Sequence, residues 1–197
     1  MPAATLQSPI GGAPPRKRFT VHEVEQMLRA GLFADQRLEL IDGDLIDKMG
    51  QNPRHAGAIR LVLAWLAQIL EPDRISVQSP IQAGTPDRKW SLPEPDLAVL
   101  AEAKDDYHKR HPRGDEVLLV VEVSDTTVQH DSTTKRDLYA RAGVREYWVL
   151  DVGARQLTVH RKLKDGKFLQ VETWAETDTV SPEFWTAGTV IVGSLLG

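Results

Sequence analysis

The segment from Val117 to Ser124 constrains the fold more than any other stretch, because five consecutive apolar residues lead directly into an acid, Glu122. A nearly continuous apolar run is typical of a strand that is buried on both faces of a sheet. The run from Leu97 to Leu100 has the same character, and Asp96 comes directly before it. An ionised carboxylate in such surroundings loses its hydration, which is costly unless it is paired or binds a metal ion. Two such acids on adjacent strands would form a cation site.

The length and composition predict one soluble domain. The chain has 197 residues, of which 41% are hydrophobic and 26% are charged, as in ordinary globular proteins. Residues 1–18 contain four prolines and no apolar periodicity, so we expect a flexible tail there and a single domain over residues 19–197. The basic end of this tail, Arg16 to Arg18, could contact nucleic acid or could simply be a solubilising leader.

Several classes of protein are disfavoured by the composition. There is no cysteine, which excludes disulfides and thiolate metal sites and favours an intracellular setting. The best apolar stretch, Ile59 to Leu70, is shorter than a membrane span and is interrupted by Arg60 and Gln68. The N-terminus lacks the apolar core of a signal peptide, so we expect a cytoplasmic protein without membrane contact. The net charge of −4 is unfavourable for nucleic-acid binding, although acids at a metal site contribute to it.

Local signals predict alternating helices and strands, and therefore an α/β fold. Thr20 and Glu23 form a capping box in front of a first helix, and Asn52 caps a second, longer one. Asp42-Gly43 and Asp165-Gly166 are turn signals of β-hairpins. The predicted helices cover residues 21–30, 53–71 and 131–142, and the predicted strands cover residues 37–41, 44–49, 75–83, 96–100, 116–123, 145–151, 156–163 and 167–173.

This order of elements predicts where the acids lie. We expect an N-terminal helix and hairpin, then a helix, then a mixed sheet whose central strands carry the acids, with a further helix packed across it. Asp96 and Glu122 would lie near strand ends that face the helix carrying Lys135, which is where α/β proteins commonly place their sites. The order of the strands within the sheet cannot be read from the pattern.

Asp96, Glu122 and Lys135 together have the chemistry of phosphodiester hydrolysis. Mg²⁺ or Mn²⁺ prefers carboxylate oxygens, and such a cation lowers the pKa of a bound water and polarises a phosphoryl oxygen. A nearby ammonium would orient the attacking water or offset charge on the phosphate. Each residue also has a structural alternative: a buried salt bridge for Glu122, a turn acid for Asp96, and an exposed ion pair with Asp131 for Lys135. Tyr139 shares the helix face of Asp131 and Lys135.

A series of motifs occurs in a specific order along the whole chain. The motif residues are Glu39-Leu40-Ile41-Asp42-Gly43, His55, Pro95-Asp96, Glu122-Val123-Ser124, Asp131, Lys135, Tyr139 and Gly143-Val144-Arg145-Glu146-Tyr147-Trp148-Val149-Leu150-Asp151. This combination resembles the Uma2 family, once catalogued as a domain of unknown function. The resemblance covers residues 19–196, and the Gly-Val-x-Glu-Tyr-Trp stretch is its most specific part.

The Uma2 family belongs to the PD-(D/E)XK nuclease superfamily, so the resemblance implies a restriction-endonuclease-like core with a mixed sheet flanked by helices. It also implies Mg²⁺- or Mn²⁺-dependent hydrolysis of DNA, with Asp96 and Glu122 as the metal ligands. Nucleases of this fold often dimerise, so the resemblance further implies a homodimer. The superfamily motif has a lysine two positions after the glutamate, where this chain has Ser124. Uma2-like sequences move that lysine to the next helix, which here means Lys135.

Five further residues would support this site. Glu39 matches the family's early acid and would be a further ligand or a supporting group, or else a solvent-facing strand acid. His55 would contact substrate or orient a water, or else be an ordinary hydrogen-bonded histidine. Ser124 would bind phosphate or cap the strand end. Asp131 and Tyr139 complete the set from the helix that carries Lys135.

The residues leave three functions open. The leading hypothesis is a Mg²⁺- or Mn²⁺-dependent endonuclease that hydrolyses DNA. The alternative is a catalytically inactive nucleic-acid-binding or regulatory module of the same fold, which the displaced lysine and the acidic net charge favour. A third is an interaction protein whose sheet edge or apolar face forms a homodimer. The sequence does not distinguish DNA from RNA, single from double strands, or any recognition sequence.

Overall fold

The computed structural model describes residues 16–48 and 52–197, and its central element is a six-stranded mixed sheet. The helices are α1 (Val21–Arg29), α2 (Pro53–Leu66), α3 (Val128–His130) and α4 (Arg136–Ala142). The strands are β1 (Leu38–Ile41), β2 (Asp44–Asp47), β3 (Ile75–Val77), β4 (Leu97–Leu100), β5 (Val117–Ser124), β6 (Glu146–Asp151), β7 (Gln156–Lys164), β8 (Lys167–Ala175), β9 (Thr179–Val180) and β10 (Val190–Ile191). Strands β3 to β8 form the sheet in chain order, and β1-β2 and β9-β10 form separate pairs. The predicted α/β class, with an N-terminal helix and hairpin, is confirmed.

The register of β4 against β5 brings the two predicted acids onto neighbouring strands. Strand β5 pairs antiparallel with β4 and parallel with β6, which makes the sheet mixed. Leu97 lies opposite Val121, so Asp96, one residue before Leu97, comes beside the next residues of β5. The backbone N–H of Val123 donates to Asp96 Oδ2 at 2.9 Å. The carboxylate of Asp96 is therefore fixed directly against β5.

Both faces of the sheet are covered, as the continuous apolar runs predict. All eight residues of β5 are buried. Successive side chains of a strand point to opposite faces, and Val121 packs with the α2 side of the core whereas Val120 packs with Tyr139 of α4. Glu122 projects to the same side as Val120, because its Oε1 accepts a hydrogen bond from the Tyr139 hydroxyl. Strand β5 thus directs one acid into the layer between the sheet and the helical segment 128–142.

Both predicted Asp-Gly turns close β-hairpins. Asp42 and Gly43 have φ values of 50° and 85°, and Asp165 and Gly166 have φ values of 50° and 70°. Positive φ at both central residues is the geometry of a type I′ turn, which matches the twist of the flanking strands. The first hairpin is important for the site, because Glu39 lies on β1.

Some elements end earlier than predicted. The strand expected over residues 75–83 ends at Val77, because Gln78 adopts a φ of 47°, outside the extended region. Helix α2 ends at Leu66 rather than near Pro72, and a short 3₁₀ turn over Pro72–Arg74 follows. The second hairpin strand ends at Asp47, so Lys48 is not in the strand as predicted, and residue 49 lies outside the described residues.

The helical segment that carries Lys135 begins earlier and is less regular than predicted. It starts at Val128, widens into a π-helical turn over Asp131–Lys135, and continues as α4 until Gly143, whose φ of 94° ends it. A π turn inserts an extra residue and so changes the direction of the side chains around it, often at functional sites. Here Asp131 and Lys135 are both buried.

The predicted flexible tail, residues 1–18, lies largely outside the described residues, and for residues 1–15 the prediction is untested. Its last residues contact the domain. Lys17 Nζ lies 2.7 Å from Glu23 Oε1, and the Arg18 guanidinium pairs with Asp42 in the first hairpin turn. These two ion pairs connect Lys17 and Arg18 to the domain, and the boundary at residue 19 stays a prediction.

We expect replacement of His160 by phenylalanine to remove an acid sensitivity of the fold. His160 is buried in a cluster with the rings of Tyr147 and Phe168. Burial and the nearby Arg136 guanidinium lower its pKa to about 4 from the ordinary 6.5. The unfolded chain binds a proton on this residue more readily than the folded one, so stability falls as the pH falls from above 6.5 to about 4. The contribution to the free energy of unfolding is at most about 3 kcal/mol.

Urea unfolding at several pH values between 7.5 and 4 measures this effect. The His160→Phe protein is expected to lose less stability over that interval than the wild type, because phenylalanine fits the same aromatic cluster and does not titrate. His108→Gln removes an exposed loop histidine and is the matched control. Identical pH dependence of the His160→Phe and wild-type proteins would contradict the prediction.

Candidate active site

A cavity of about 240 Å³ lies beside the β1-β2 hairpin, where the N-terminal end of α2, the ends of β4 and β5, and the segment 125–135 meet. Six of the eight predicted site residues line it, namely Glu39, His55, Asp96, Glu122, Asp131 and Lys135. The remaining two, Ser124 and Tyr139, lie behind the lining and hydrogen-bond to Asp131 and Glu122, respectively. Residues far apart in the sequence are thus assembled into one site.

Lys135 lies at the centre of a buried cluster of carboxylates. Its Nζ is 2.8 Å from Glu39 Oε1, 3.0 Å from Glu122 Oε1 and 3.9 Å from Asp131 Oδ1. The lysine side chain is only 3% exposed. The alternative of an exposed Asp131–Lys135 pair is therefore wrong, and so is that of a solvent-facing Glu39, which is 4% exposed. For Glu122, the purely structural alternative was a buried salt bridge. Glu122 does form such a salt bridge with Lys135, and it also lines the cavity.

The burial of this cluster governs its electrostatics. Loss of hydration raises the pKa of Glu122 above the ordinary range, and the ammonium groups of Lys135 and Lys48 oppose that effect. Burial alone would lower the pKa of Lys135, but the carboxylates of Glu122 and Glu39 outweigh it and raise that pKa. Because the ammonium lies between two carboxylates at bonding distance, at least one of them carries the balancing negative charge. The cluster holds its charges together without exposing them to water.

Asp131 is held by hydroxyl groups from the adjoining loop. Its Oδ2 accepts hydrogen bonds from Ser124 Oγ and Thr127 Oγ1, each at 2.6 Å. The Tyr147 hydroxyl donates to the backbone oxygen of Asp131 at 2.9 Å. These bonds fix the π turn against the end of β5. Ser124 therefore anchors the segment that carries Lys135.

The carboxylate of Asp96 lines the cavity separately from the Lys135 cluster. Its Oδ2 is bonded to the Val123 N–H, whereas its Oδ1 lies 3.4 Å from His55 Nε2 and 3.6 Å from Lys48 Nζ. Burial would raise the pKa of Asp96, but His55 and Lys48 lower it to about 2. Within residues 16–48 and 52–197, neither Oδ1 nor His55 Nε2 has a hydrogen-bond partner. Asp96 is 1% exposed and bonds the neighbouring strand, so the alternative of a simple turn acid is wrong.

Lys48 is a member of the site that the sequence did not indicate. It lines the cavity and follows β2 directly, and its Nζ donates to the backbone oxygen of Glu94. No motif marks it, because its approach to Asp96 depends on how the first hairpin packs against the segment before β4. One sequence signal could have indicated it: a lysine or arginine at the end of a predicted hairpin strand can reach a site that lies beside the hairpin.

The residues fit a hard divalent cation held by few protein ligands. Among the described residues, no group of three or more His, Asp or Glu side chains is arranged to hold a metal ion. Mg²⁺ commonly takes only one or two carboxylates and keeps several waters. Asp96 and Glu122 supply two carboxylates on neighbouring strands, and Asp96 Oδ1 is a buried oxygen free to accept a ligand. An all-oxygen pair of this kind suits Mg²⁺ or Mn²⁺ better than the nitrogen and sulfur sites that zinc prefers.

Comparison with known proteins gives the family and the fold. No curated protein matches the sequence. The fold is similar to the crystal structure of a "putative nuclease belonging to DUF820" from Anabaena variabilis, with a TM-score of 0.68 and 13% sequence identity over 90% of this chain and 97% of that chain. At this identity the likeness shows a shared fold. The family model of Uma2, described as "putative restriction endonuclease", matches residues 21–190, and this chain therefore belongs to the Uma2 family.

Proposed function

We propose that this protein is a divalent-metal-dependent endonuclease that hydrolyses DNA phosphodiester bonds. One observation carries the proposal: Asp96, Glu122 and Lys135 meet at one cavity, where the register of β4 against β5 and the π turn bring them together. Membership of a family of restriction-endonuclease-like proteins supports the same reaction class.

Each residue of the cavity has a proposed role. Asp96, through Oδ1, and Glu122 would hold Mg²⁺ or Mn²⁺, which when bound lowers the pKa of a water and neutralises charge on the phosphate. Lys135, bonded to Glu122 Oε1, would orient the attacking water or offset charge on the phosphate. Glu39 shares the Lys135 ammonium and fixes its position. His55 would contact the substrate or a water from the Asp96 side.

The remaining predicted residues support this arrangement from behind. The Tyr139 hydroxyl donates to Glu122 Oε1 at 2.8 Å, which leaves Oε2 of that carboxylate for the metal. Ser124 and Asp131 hold the π turn that carries Lys135. Positioning groups of this kind are needed because catalytic side chains must be held close to their productive geometry.

A catalytically inactive binding or regulatory module is the second candidate. The observation that favours it is the complete enclosure of Lys135 by carboxylates, which stabilises the cluster without any metal. This candidate binds nucleic acid and cleaves nothing in any divalent metal.

The localisation and assembly of the protein stay predictions. Within the two described ranges, no helix has both the length and the apolar character that a membrane crossing needs. A cytoplasmic setting, a homodimer, and a single domain that extends to residue 197 are our expectations from the sequence.

The proposal is tested by incubating the protein with supercoiled plasmid and with short single-stranded DNA in Mg²⁺ or Mn²⁺. We expect nicking or linearisation of the plasmid that EDTA abolishes, because two carboxylates without a cation cannot offset the charge of the phosphate. Cleavage that persists in EDTA would contradict the metal requirement. A folded protein that binds DNA and cleaves neither substrate in either metal would instead support the inactive module.

A further inference from the structure

The lining of the active cavity carries an excess of negative charge. Six carboxylates line it, against three side chains with a fixed positive charge, Arg37, Lys48 and Lys135. A nucleic-acid phosphate is itself an anion, so its binding in this cavity needs protein cations in addition to a metal. The three cations differ in how far their N–H donors are already occupied.

Lys135 and Arg37 are both paired with protein carboxylates. An ammonium has three N–H donors, and around Lys135 three carboxylates, those of Glu39, Glu122 and Asp131, lie within 3.9 Å. Arg37 is paired through Nη2 with Glu94 Oε1 at 2.6 Å. The donors of Lys135 are thus occupied. Arg37 uses one of its five N–H donors and is 40% exposed, but among the described residues its ion pair is with Glu94 and not with Asp96 or Glu122.

Lys48 has unused donors. Its Nζ donates to the backbone oxygen of Glu94, and Asp96 Oδ1 at 3.6 Å is beyond hydrogen-bond distance. Over residues 16–48 and 52–197, its ammonium has no other hydrogen-bond acceptor, and its side chain is 13% exposed at the cavity. Its backbone is fixed as well, because the Lys48 N–H donates to the Arg37 oxygen at 2.8 Å.

We propose that Lys48 contacts a phosphate of the nucleic-acid substrate on the Asp96 side of the cavity. This inference rests on the proposed function and assigns that contact to a residue outside the family motif. A lysine that served only to neutralise Asp96 would approach to bonding distance, as Lys135 approaches Glu39 at 2.8 Å. Lys48 instead stands at 3.6 Å from Asp96 Oδ1, with His55 Nε2 at 3.4 Å from the same oxygen. A phosphate oxygen bound between these groups would accept from both.

The test is DNA binding by the Lys48→Gln protein, measured by fluorescence anisotropy of labelled duplex and single-stranded oligonucleotides in Ca²⁺. We expect about tenfold weaker binding at low salt, the equivalent of one charged hydrogen bond. The slope of log affinity against log salt concentration should decrease by about one, as for one lost phosphate contact. In cleavage assays KM should rise more than kcat falls, and Lys48→Arg should retain most of the affinity.

Lys164→Gln removes the same charge from an exposed residue away from the cavity and is the matched control. Thermal unfolding verifies that each variant is folded. Should Lys48→Gln unfold, chemical acetylation of the wild-type protein decides, because bound oligonucleotide should protect Lys48 and leave Lys164 reactive. Unchanged affinity and salt slope in a folded Lys48→Gln protein, or no protection of Lys48, would overturn the inference about Lys48. Cleavage by the wild-type protein would still support the proposed function in that case. Absence of both binding and cleavage in the wild type would overturn both.

Discussion

Replacement of Glu122 by glutamine is expected to lower metal-dependent DNA cleavage by about a thousandfold or more, because the amide cannot give the cation a charged ligand. The variant should remain folded. Glutamine has the shape of glutamate, its carbonyl oxygen can still accept from Tyr139, and Lys135 keeps Glu39 as a partner at 2.8 Å. Burial already raises the pKa of Glu122, so a neutral group is tolerated at that position. Initial rates of plasmid nicking in Mg²⁺ and in Mn²⁺ measure the effect.

Glu146→Gln is the matched control for this experiment. Glu146 is a buried acid on the adjacent strand β6, and burial raises its pKa too, but it bonds Trp148 Nε1 and Arg161 Nε and does not line the cavity. We expect this variant to cleave at a rate close to that of the wild type at temperatures where it is folded. Full activity of Glu122→Gln would refute the assignment of Glu122 as a metal ligand.

The sequence predicts those parts of the fold that local chemistry determines. The capping box of Thr20 and Glu23 forms as expected, with the Glu23 backbone N–H donating to Thr20 Oγ1 at 3.2 Å. The Asp-Gly pairs give both hairpin turns, since few other residues adopt positive φ so readily. The apolar run of β5 is buried throughout, as expected of a strand covered on both faces. The pairing of Asp96 with β5 does not follow from these runs, because two inner strands of a six-stranded sheet need not be neighbours.

The sequence does not predict features that depend on long-range packing. The π turn at Asp131–Lys135 has no local signal, because the hydrogen bonds of Ser124 and Thr127 to Asp131 stabilise it from outside the helix. The approach of Lys48 Nζ to Asp96 Oδ1, at 3.6 Å, likewise depends on how the hairpin packs against the sheet. The enclosure of Lys135 combines both effects, since Glu39 reaches it from the hairpin and Glu122 from β5. The sequence therefore indicates most residues of the site, but neither Lys48 nor the contacts that the residues make with one another.

Replacement of Lys135 by methionine is expected to destabilise the protein by about 3–5 kcal/mol, because it leaves buried carboxylates without their counter-charge. Methionine fills most of the space of the lysine stem, so the loss reports the missing ammonium rather than a cavity. Lys135 is 3% exposed and its ammonium is within hydrogen-bond distance of both Glu39 and Glu122, so water cannot replace it readily. Urea unfolding at neutral pH measures the change in the free energy of unfolding.

Two further variants separate this effect from a general loss of a surface charge. Lys104→Met removes a lysine that is 2.9 Å from Glu116 but 36% exposed, and Arg110 continues to hold that glutamate, so we expect a much smaller loss of stability than for Lys135→Met. Adding Glu122→Gln to Lys135→Met removes one of the uncompensated charges and should restore part of the stability, which makes the two changes non-additive. A Lys135→Met protein as stable as the wild type would show that the carboxylates do not need the ammonium.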